Sequence, residues 1–224
     1  MNDKVCYIFG AGDLYAASVD IPQEALVIAA DGGLYHTKKL GITPDVFLGD
    51  FDSADKTEAG ENCVVFPSKK DYTDMFLAVE YGRKQGYTIF EIYGGLGGRR
   101  IAHTLANIQM LVYYAKMGCA LRLHGNQTLL AVFTNDPESS GRACVKLCFD
   151  AENRGYISLF ALGGKVCGLT ISGLKYTLEN AELTSDFPLG VSNEFTGKPA
   201  SVSFACGSLL VVVPENTSVK EESV

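Results

Sequence analysis

Two short acidic segments in the first third of the chain hold the residues best suited to chemistry. Residues 49–53 read GDFDS and residues 70–74 read KDYTD, so each segment places two carboxylates close together beside a hydroxyl group. Carboxylates at this spacing can converge on one cation, and hard oxygen ligands of this kind suit Mg²⁺. The carboxylates that we predict to bind Mg²⁺ and to act in catalysis are Asp50, Asp52, Asp71 and Asp74.

A glycine-rich loop at residues 94–98 is the second feature of this kind. Two arginines and a predicted helix follow it, and the backbone N–H groups of such a loop bind anions. It is not a Walker A loop, because no Gly-Lys-Ser/Thr closes it. Acidic metal ligands, phosphate-binding loops and arginines together are typical of phosphoryl-type transfer. The residues that we predict to contact phosphate are Asp31, Gly32, Thr73, Gly97, Gly98, Arg99, Arg100, His103 and Asn107.

Each of these features also has a purely structural explanation. Aspartate, serine and threonine at strand ends form turns or cap helices, and one of Asp71, Thr73 and Asp74 is expected to be the N-cap of the next helix. A glycine loop with solvated arginines needs no ligand, and His103 equally suits the first turn of a helix. We favour a binding site, because capping uses one oxygen acceptor whereas the segment around Thr73 supplies three.

The composition argues against several classes of function. A net charge of −7 disfavours a nucleic-acid-binding protein, which needs a basic surface, although Mg²⁺ can join an acidic protein to a nucleotide. The first residues do not resemble a signal peptide, and no apolar run approaches the roughly 20 residues that span a bilayer, so no membrane partner is expected. Seven cysteines without a C-x-x-C pair favour free thiols and a cytoplasmic location over disulfides or zinc binding.

Apolar runs alternate with helical patterns in the first half of the chain. The predicted strands span residues 5–9, 26–30, 46–48 and 88–93, and the predicted helices span residues 74–85 and 104–117. This alternation is typical of an α/β domain with a mostly parallel sheet. Asp31, Asp50, Asp52 and Gly94 all follow predicted strand ends, and open α/β sheets bind ligands at the carboxyl ends of their strands.

The pattern changes after about residue 121, where short strands separated by Gly, Asn and Asp replace the helices. Such a run predicts an antiparallel sandwich or barrel. We therefore predict two domains, an α/β catalytic domain at residues 1–122 that binds the nucleotide and Mg²⁺, and an all-β domain at residues 123–224. The polar tail at residues 215–224 is expected to fray.

The order of these motifs resembles the thiamine pyrophosphokinase family. In the first half, the resemblance rests on residues 31–33 (DGG), 49–53 (GDFDS), 71–74 (DYTD) and a Gly-Gly-Arg loop that leads into residues 103–107 (HTLAN). In the second half, residues 173–176 (GLKY) and 191–194 (VSNE) are similar to the thiamine-binding segment of that family. The resemblance therefore covers nearly the whole chain.

The resemblance implies a specific reaction and assembly. An α/β catalytic domain joined to a thiamine-binding β-sandwich would transfer the pyrophosphoryl group of ATP to the thiamine hydroxyl with Mg²⁺, giving thiamine diphosphate and AMP. Arg99 or Arg100 would neutralise charge on the phosphates, and Asp71 or Asp74 would accept the hydroxyl proton. The chain would act as a homodimer with shared active sites. The residues that the resemblance implies for thiamine are Tyr176, Ser192 and Asn193.

Two positions differ from the usual pattern of that family. Residues 97–103 read GGRRIAH in place of Gly-Gly-Arg-x-Asp-His, which adds one residue and puts Ala102 where a carboxylate is usual. Tyr176 stands where an aromatic such as Trp is usual, and its ring still offers a π-face to a cationic ring. Two alternatives stay open: a nucleotide hydrolase or a kinase for another alcohol, and a non-catalytic module that binds thiamine or a nucleotide.

Overall fold

The computed structural model describes residues 4–49, 63–65 and 72–223. The chain divides into two compact units, residues 1–127 and residues 128–224. A domain boundary between residues 122 and 123 stays a prediction, and that position falls inside the strand Ala120–His124, which belongs to the first unit.

The first unit is built on a parallel sheet. Its described strands are β1 (Val5–Phe9), β2 (Leu26–Ala30), β3 (Val46–Gly49), β4 (Cys63–Val65), β5 (Ile89–Tyr93) and β6 (Ala120–His124). They lie in the order β6-β5-β1-β2-β3-β4, and every neighbouring pair is parallel. The chain leaves β1 towards β2 but leaves β5 towards β6, on the other side. The loops after β1 and β5 therefore diverge, and such a switch point opens a crevice at the carboxyl ends of the strands.

Three helices of the first unit are described: α1 (Gly33–Leu40), α2 (Asp74–Lys84) and α3 (Ile101–Ala115). The predicted helix at residues 74–85 is confirmed, and Gly86 follows its C-cap with a left-handed φ of 88°. The helix predicted at residues 104–117 begins earlier, at Ile101, whereas α1 lies outside the predicted set. Among the described residues, no helix is long and apolar enough to cross a membrane.

The packing of α2 on the sheet depends on a small residue. Ala78 and Val79 of α2 are fully buried, as are Cys6 of β1 and Phe90 of β5. Gly82 of the same helix faces these two strands, and a Cβ at that position would lie only 2.8 Å from the Phe90 ring. The glycine therefore lets the C-terminal half of α2 approach the sheet closely.

The second unit is an antiparallel β-sandwich. Its described elements are β7 (Thr128–Asn135), α4 (Pro137–Ser140), β8 (Val145–Phe149), β9 (Tyr156–Ala161), β10 (Lys165–Ser172), β11 (Leu178–Thr184), β12 (Asn193–Glu194), β13 (Ala200–Phe204), β14 (Gly207–Pro214) and β15 (Val219–Ser223). One set of strands lies in the order β12-β9-β14-β7 and the other in the order β11-β10-β13-β8-β15, with antiparallel pairing throughout. Leu147 and Val202 of one set share a core with Ile157 and Leu209 of the other. The predicted fold class, an α/β unit followed by an all-β unit, is confirmed.

The polar tail is ordered, so the prediction that residues 215–224 fray is wrong for the residues that form β15. Val219–Ser223 pairs with β8 in register from Val219 opposite Phe149 to Ser223 opposite Val145. Val219 packs against the core of the sandwich. A sheet edge supplies free N–H and C=O groups to any strand that reaches it, so backbone pairing orders a segment whose side chains are polar.

Candidate active site

A cavity of about 390 Å³ lies at the switch point, beside the ends of β1, β2 and β5 and the starts of α2 and α3. The structure brings most of the predicted phosphate-site residues together around it. The predicted residues that line the cavity are Asp31, Asp74, Gly97, Gly98, Arg99, Arg100, His103 and Asn107. Their assignment to particular ligand groups stays a prediction.

The loops after β1 and β5 are joined by backbone hydrogen bonds. Gly10 N donates to Tyr93 O at 2.8 Å, and Gly12 N donates to Gly94 O at 2.8 Å. A Cβ at Gly10 would lie 2.8 Å from Gly94 O, and one at Gly12 would lie 2.7 Å from the same atom. Only glycine therefore permits this approach, and the wall of the cavity is made of backbone.

The glycine-rich loop takes left-handed conformations that favour glycine, with φ of 69° at Gly97 and 77° at Gly98. Side chains of α3 hold it from below. Asn107 Nδ2 donates to Gly95 O at 2.6 Å, and Thr104 Oγ1 donates to Gly97 O at 3.4 Å. Asn107 is itself buried. Its amide nitrogen is thus engaged in positioning the loop, a role that spacing along the sequence does not reveal.

The N-terminus of α3 opens into the same cavity. Arg100 is the N-cap residue, and it makes no side-chain capping hydrogen bond. The first turn of this helix contains no acidic residue. Arg99 and Arg100 are exposed, and His103 lies half-buried in the first turn. The positive end of the helix dipole and two guanidinium groups therefore face one space, which suits a polyanion.

Three described carboxylates also line the cavity: Asp13, Asp31 and Asp74. Asp31 has a φ of 50°, and its N–H donates to Leu48 O at 2.8 Å. A non-glycine residue with such a φ is uncommon, and such residues cluster at functional sites. Asp74 begins α2, directly after Thr73, whose Oγ1 accepts a hydrogen bond from Phe76 N at 3.2 Å. One of Asp71, Thr73 and Asp74 was expected to be the N-cap of this helix, and the N-cap is Thr73.

Asp13 is a cavity residue that the sequence analysis did not single out. The Tyr15 hydroxyl donates to Asp13 Oδ2 at 3.2 Å. Desolvation, with this hydrogen bond to Asp13, raises the pKa of Tyr15. A Cβ at Gly97 would overlap the Asp13 carboxylate, so this acid sits directly against the glycine-rich loop. The sequence could have indicated Asp13 as a site residue, because Asp13 lies shortly after the end of β1, as Asp31 does after β2.

His36 of α1 supports the wall of the cavity from outside and was also missed. Its Nε2 lies 2.7 Å from Gly12 O, and its Nδ1 is buried without a hydrogen-bond partner among the described residues. A carbonyl oxygen only accepts, so Nε2–H is the donor of this hydrogen bond and ties α1 to the loop after β1.

The other predicted residues of the first unit lie elsewhere or are not described. Thr73 lines a separate groove together with Tyr72, Phe76 and Tyr113. Gly32 is the N-cap residue of α1 and is not among the residues that line the cavity. The remaining predicted residues, which lie outside the described part of the chain, are Asp50, Asp52 and Asp71.

The carboxylates of the cavity have the donor chemistry of an Mg²⁺ site. Asp13, Asp31 and Asp74 offer hard oxygen atoms, which Mg²⁺ prefers, beside the groups suited to phosphate. Within the described residues, however, no group of three or more acidic, His or Cys side chains stands close enough to hold an ion. These aspartates fit Mg²⁺ by type, and a complete ligand set would need Asp50, Asp52 or Asp71 as well.

Hydrogen bonds hold the backbone of the predicted thiamine residues in the second unit. Asn193 is buried, its Oδ1 accepts from Tyr176 N at 3.0 Å, and its Nδ2 donates to Tyr176 O at 2.7 Å. The Tyr176 ring itself is 62% exposed. Ser192 has a φ of 60°, and its N–H donates to Ser158 Oγ at 2.9 Å. Asn193 thus holds the backbone of Tyr176 from both sides and leaves the aromatic ring available.

A surface ion pair flanks Tyr176. Lys175 Nζ lies 2.7 Å from Glu194 Oε2 and 5.9 Å from the centroid of the Tyr176 ring. The hydrogen bond to Glu194 raises the pKa of Lys175. The lysine is thereby kept beside the tyrosine as a cation, and Glu194 places a carboxylate at the same edge.

Comparison with known proteins agrees with both halves of this architecture. Residues 21–123 match the family described as Thiamin pyrophosphokinase, catalytic domain, and residues 145–209 match Thiamin pyrophosphokinase, vitamin B1 binding domain. The chain is 31% identical over 196 residues to a Thiamine pyrophosphokinase of Bacillus subtilis, covering 85% of this chain and 87% of the relative. It is 27% identical over 208 residues to Thiamin pyrophosphokinase 1 of Caenorhabditis elegans, covering 88% of this chain and 82% of the relative.

A solved structure extends the likeness to the whole fold. The crystal structure of Thiamine pyrophosphokinase from Bacillus subtilis superposes with a TM-score of 0.79 at 28% identity, covering 95% of this chain and 100% of that one. Sequence and fold agree over both units, and the chain belongs to the thiamin pyrophosphokinase family.

Proposed function

We propose that the chain transfers the pyrophosphoryl group of ATP to the hydroxyl group of thiamine, giving thiamine diphosphate and AMP. The observation that carries this proposal is the cavity of the first unit. Two arginines, the N-terminus of α3 and three carboxylates all line it. A triphosphate with a bound cation needs both kinds of group, and the family membership names the acceptor.

The phosphates would be held by the glycine-rich loop and by α3. N–H groups of the loop and of the first helical turn donate to phosphate oxygens, because no side chain caps them. Arg99 and Arg100 would neutralise the charge that develops on the leaving AMP and on the transferred group. Asn107 and Thr104 donate hydrogen bonds to carbonyl groups of the loop. These bonds hold the loop backbone and therefore orient its N–H groups.

A divalent cation fits the carboxylates of the cavity. Mg²⁺, when bound, would screen the charge of the triphosphate and polarise the β-phosphorus towards attack. Asp74 is the described member of the predicted ligand set that lines the cavity, and Asp13 and Asp31 lie beside it. Asp50, Asp52 and Asp71 would complete the set. Asp71 or Asp74 would also take the proton from the thiamine hydroxyl as its oxygen attacks the β-phosphorus.

Thiamine would be recognised by the second unit. The exposed ring of Tyr176 offers a π-face to the cationic thiazolium ring, and Glu194 adds a negative charge nearby. Asn193 positions this ring through its two backbone hydrogen bonds. Ser192 holds its left-handed conformation next to Asn193 and presents its hydroxyl at the same segment.

The test is an assay of AMP release in the presence and absence of thiamine. A pyrophosphokinase releases AMP only with thiamine and forms an equal amount of thiamine diphosphate. Thiamine monophosphate, whose hydroxyl group is blocked, is the matched control and should give no AMP. AMP or phosphate release without any acceptor would indicate a nucleotide hydrolase. Binding of thiamine without turnover would indicate a non-catalytic module, and either result would overturn the proposal.

The same assay can distinguish the roles of Arg99 and Arg100. Arg99→Met and Arg100→Met each remove one guanidinium group, and the one that contacts the transition state should lose roughly 10²–10³-fold in kcat. Arg83→Met is the matched control, because Arg83 pairs with Glu80 on the surface of α2. If neither variant falls below the control, the arginines belong to a solvated loop.

We further propose a homodimer with shared active sites. The proposal is supported by the distribution of the candidate residues, since those suited to phosphate lie in residues 1–127 and those suited to thiamine lie in residues 128–224. Mixing an inactive Asp71→Asn chain with an inactive Tyr176→Ala/Ser192→Ala chain tests it. Heterodimers with a shared site regain part of the activity through one intact site. If subunits exchange and no activity returns, each site is built within one chain.

A further inference from the structure

Two cysteines of the second unit, Cys167 and Cys206, lie opposite each other on neighbouring stretches of backbone. Cys167 lies in β10 and Cys206 lies between β13 and β14, and the two form an isolated antiparallel bridge. Cys167 N donates to Cys206 O at 3.0 Å, and Cys206 N donates back to Cys167 O at 3.4 Å. They are thus a hydrogen-bonded antiparallel pair.

This backbone relationship sets the distance between the two Cα atoms. A hydrogen-bonded antiparallel pair holds its Cα atoms about 5.5 Å apart, which is within the range that a disulfide spans. Directly opposed residues of an antiparallel pair carry their side chains on the same face of the sheet, so the two thiol groups are neighbours. Ala205 N donates to Cys167 O as well, at 2.8 Å, so the strand bulges here and both cysteines are held opposite one another.

Both thiols can be reached by small reagents. Cys167 and Cys206 are half-exposed, whereas Cys6 and Cys119 are buried. Val166, the neighbour of Cys167, points into the core, and Cys167 therefore stands on the outer side of its strand. Lys165 and Glu182 flank the pair as an ion pair at 3.0 Å, with Glu182 Oε2 also 4.0 Å from Cys167 Sγ.

We propose that Cys167 and Cys206 are a reversible dithiol–disulfide pair that is closed by low-molecular-weight disulfides such as oxidised glutathione. In the first step, one cysteine thiolate attacks the glutathione disulfide, forms a mixed disulfide and releases one glutathione thiolate. The second cysteine, on losing its proton, then attacks the protein sulfur of that mixed disulfide and releases the second glutathione. Two protein thiols are oxidised, one glutathione disulfide is reduced to two thiols, and the two protons pass to them.

The groups around Cys167 do not activate it as a nucleophile, because they raise the pKa of its thiol. The hydrogen bond from Cys206, followed by desolvation, raises the pKa of Cys167, with Lys165 opposing this and Glu182 reinforcing it. The raised pKa lowers the thiolate fraction of Cys167, and the rate of closure also rises with the concentration of oxidised glutathione, which is the reactant.

The disulfide would enclose the segment that carries Tyr176, Ser192 and Asn193. Closing a loop of roughly forty residues restricts the unfolded chain, and we expect the melting temperature to rise by about 5–10 °C. The cross-link joins residues that already pair in the native sheet.

The experiment uses the full chain, first reduced and desalted, then held in glutathione buffers of increasing oxidised fraction. Free thiols are blocked with N-ethylmaleimide, and peptide mapping by mass spectrometry finds the linked residues. We expect a Cys167–Cys206 peptide pair, a mass loss of two hydrogens, and reversal by dithiothreitol. Cys148→Ser is the matched control, since Cys148 is half-exposed in the same unit, and it should keep both the cross-link and the rise in melting temperature.

Cys206→Ser should leave Cys167 as a mixed disulfide with glutathione and abolish the rise in melting temperature. A second measurement, the mapping of N-ethylmaleimide adducts, uses the wild-type protein and does not depend on the folding of any variant. If Cys167 and Cys206 are both recovered as N-ethylmaleimide adducts while Cys148 is modified by glutathione, the proposal is wrong. A 167–206 link that forms only in denaturant would overturn it equally.

Discussion

The side-chain amide of Asn107 lies 2.6 Å from the carbonyl oxygen of Gly95, and it ties α3 to the glycine-rich loop. Asn107 is only 6% exposed, so this hydrogen bond is made away from water. Arg99 and Arg100 stand between the loop and the helix. The contact therefore fixes the two elements that would grip phosphate, and it does so from a position outside the first turn of α3.

We expect Asn107→Ala to raise the KM for ATP by roughly 5–100-fold, because the loop carbonyl loses a buried donor worth about 1–3 kcal/mol. The KM for thiamine should change little. Steady-state kinetics with each substrate varied measures this, with thermal melting as a check on folding. Gln109→Ala is the control, since Gln109 lies exposed on the same helix. An unchanged KM for ATP in Asn107→Ala would remove this residue from the phosphate site.

Gly12→Ala should lower both stability and ATP turnover. The added methyl group would lie 2.7 Å from Gly94 O, so the backbone bond between the β1 and β5 loops must lengthen. Overpacking of this kind costs about 1–3 kcal/mol. Gly32→Ala adds the same methyl 3.0 Å from the Ala11 Cβ, at an ordinary φ of −60°, and should be milder. Equal melting temperatures for Gly12→Ala and wild type would contradict the close approach.

Asn193→Ala should weaken thiamine binding without affecting ATP. Two backbone hydrogen bonds to Tyr176 are lost, and the exposed aromatic ring is no longer held in one place. We expect the KM for thiamine to rise by about tenfold or more, which corresponds to the loss of one or two buried hydrogen bonds. Lys175→Met removes only the exposed ion pair with Glu194 and should change little. A change in the ATP KM alone would place Asn193 outside the thiamine segment.

Asp52→Asn and Asp71→Asn should each abolish most turnover and leave the melting temperature near that of wild type. One charged oxygen ligand is lost in each variant, so the cation binds more weakly while the fold keeps its packing. A chelator should abolish turnover of the wild type, and added Mg²⁺ should restore it. Isothermal titration with Mg²⁺ and a non-hydrolysable ATP analogue reports binding without turnover. Near-normal turnover in either variant would exclude that residue from the site.

Removal of residues 219–224 should destabilise the second unit. β15 pairs with β8 over its whole length, and Val219 packs against the core. We expect the melting temperature to fall by several degrees, as for a loss of about 1–2 kcal/mol. Val219→Ser, which keeps the backbone pairing, should cost less than the deletion. An unchanged melting temperature after deletion would restore the expectation of a frayed tail.

The sequence by itself determined the fold class and predicted where the candidate site lies. Apolar runs that end in Asp or Gly predicted parallel strands with ligand residues at their carboxyl ends, and β2 and β5 end in that way at Asp31 and Gly94. These signals are local, because burial of a strand and the conformational freedom of glycine act within a few residues.

Only the tertiary structure decided which side chains hold others in place. Asn107 lines the cavity and also holds the glycine-rich loop, His36 of α1 contacts Gly12 in the loop after β1, and Asp13 of that same loop lines the cavity. Cys167 and Cys206 are far apart along the chain and meet through strand pairing. Such contacts depend on the register between distant strands and helices, and no local pattern specifies it. The same long-range pairing orders β15, whose polar sequence alone predicted a frayed end.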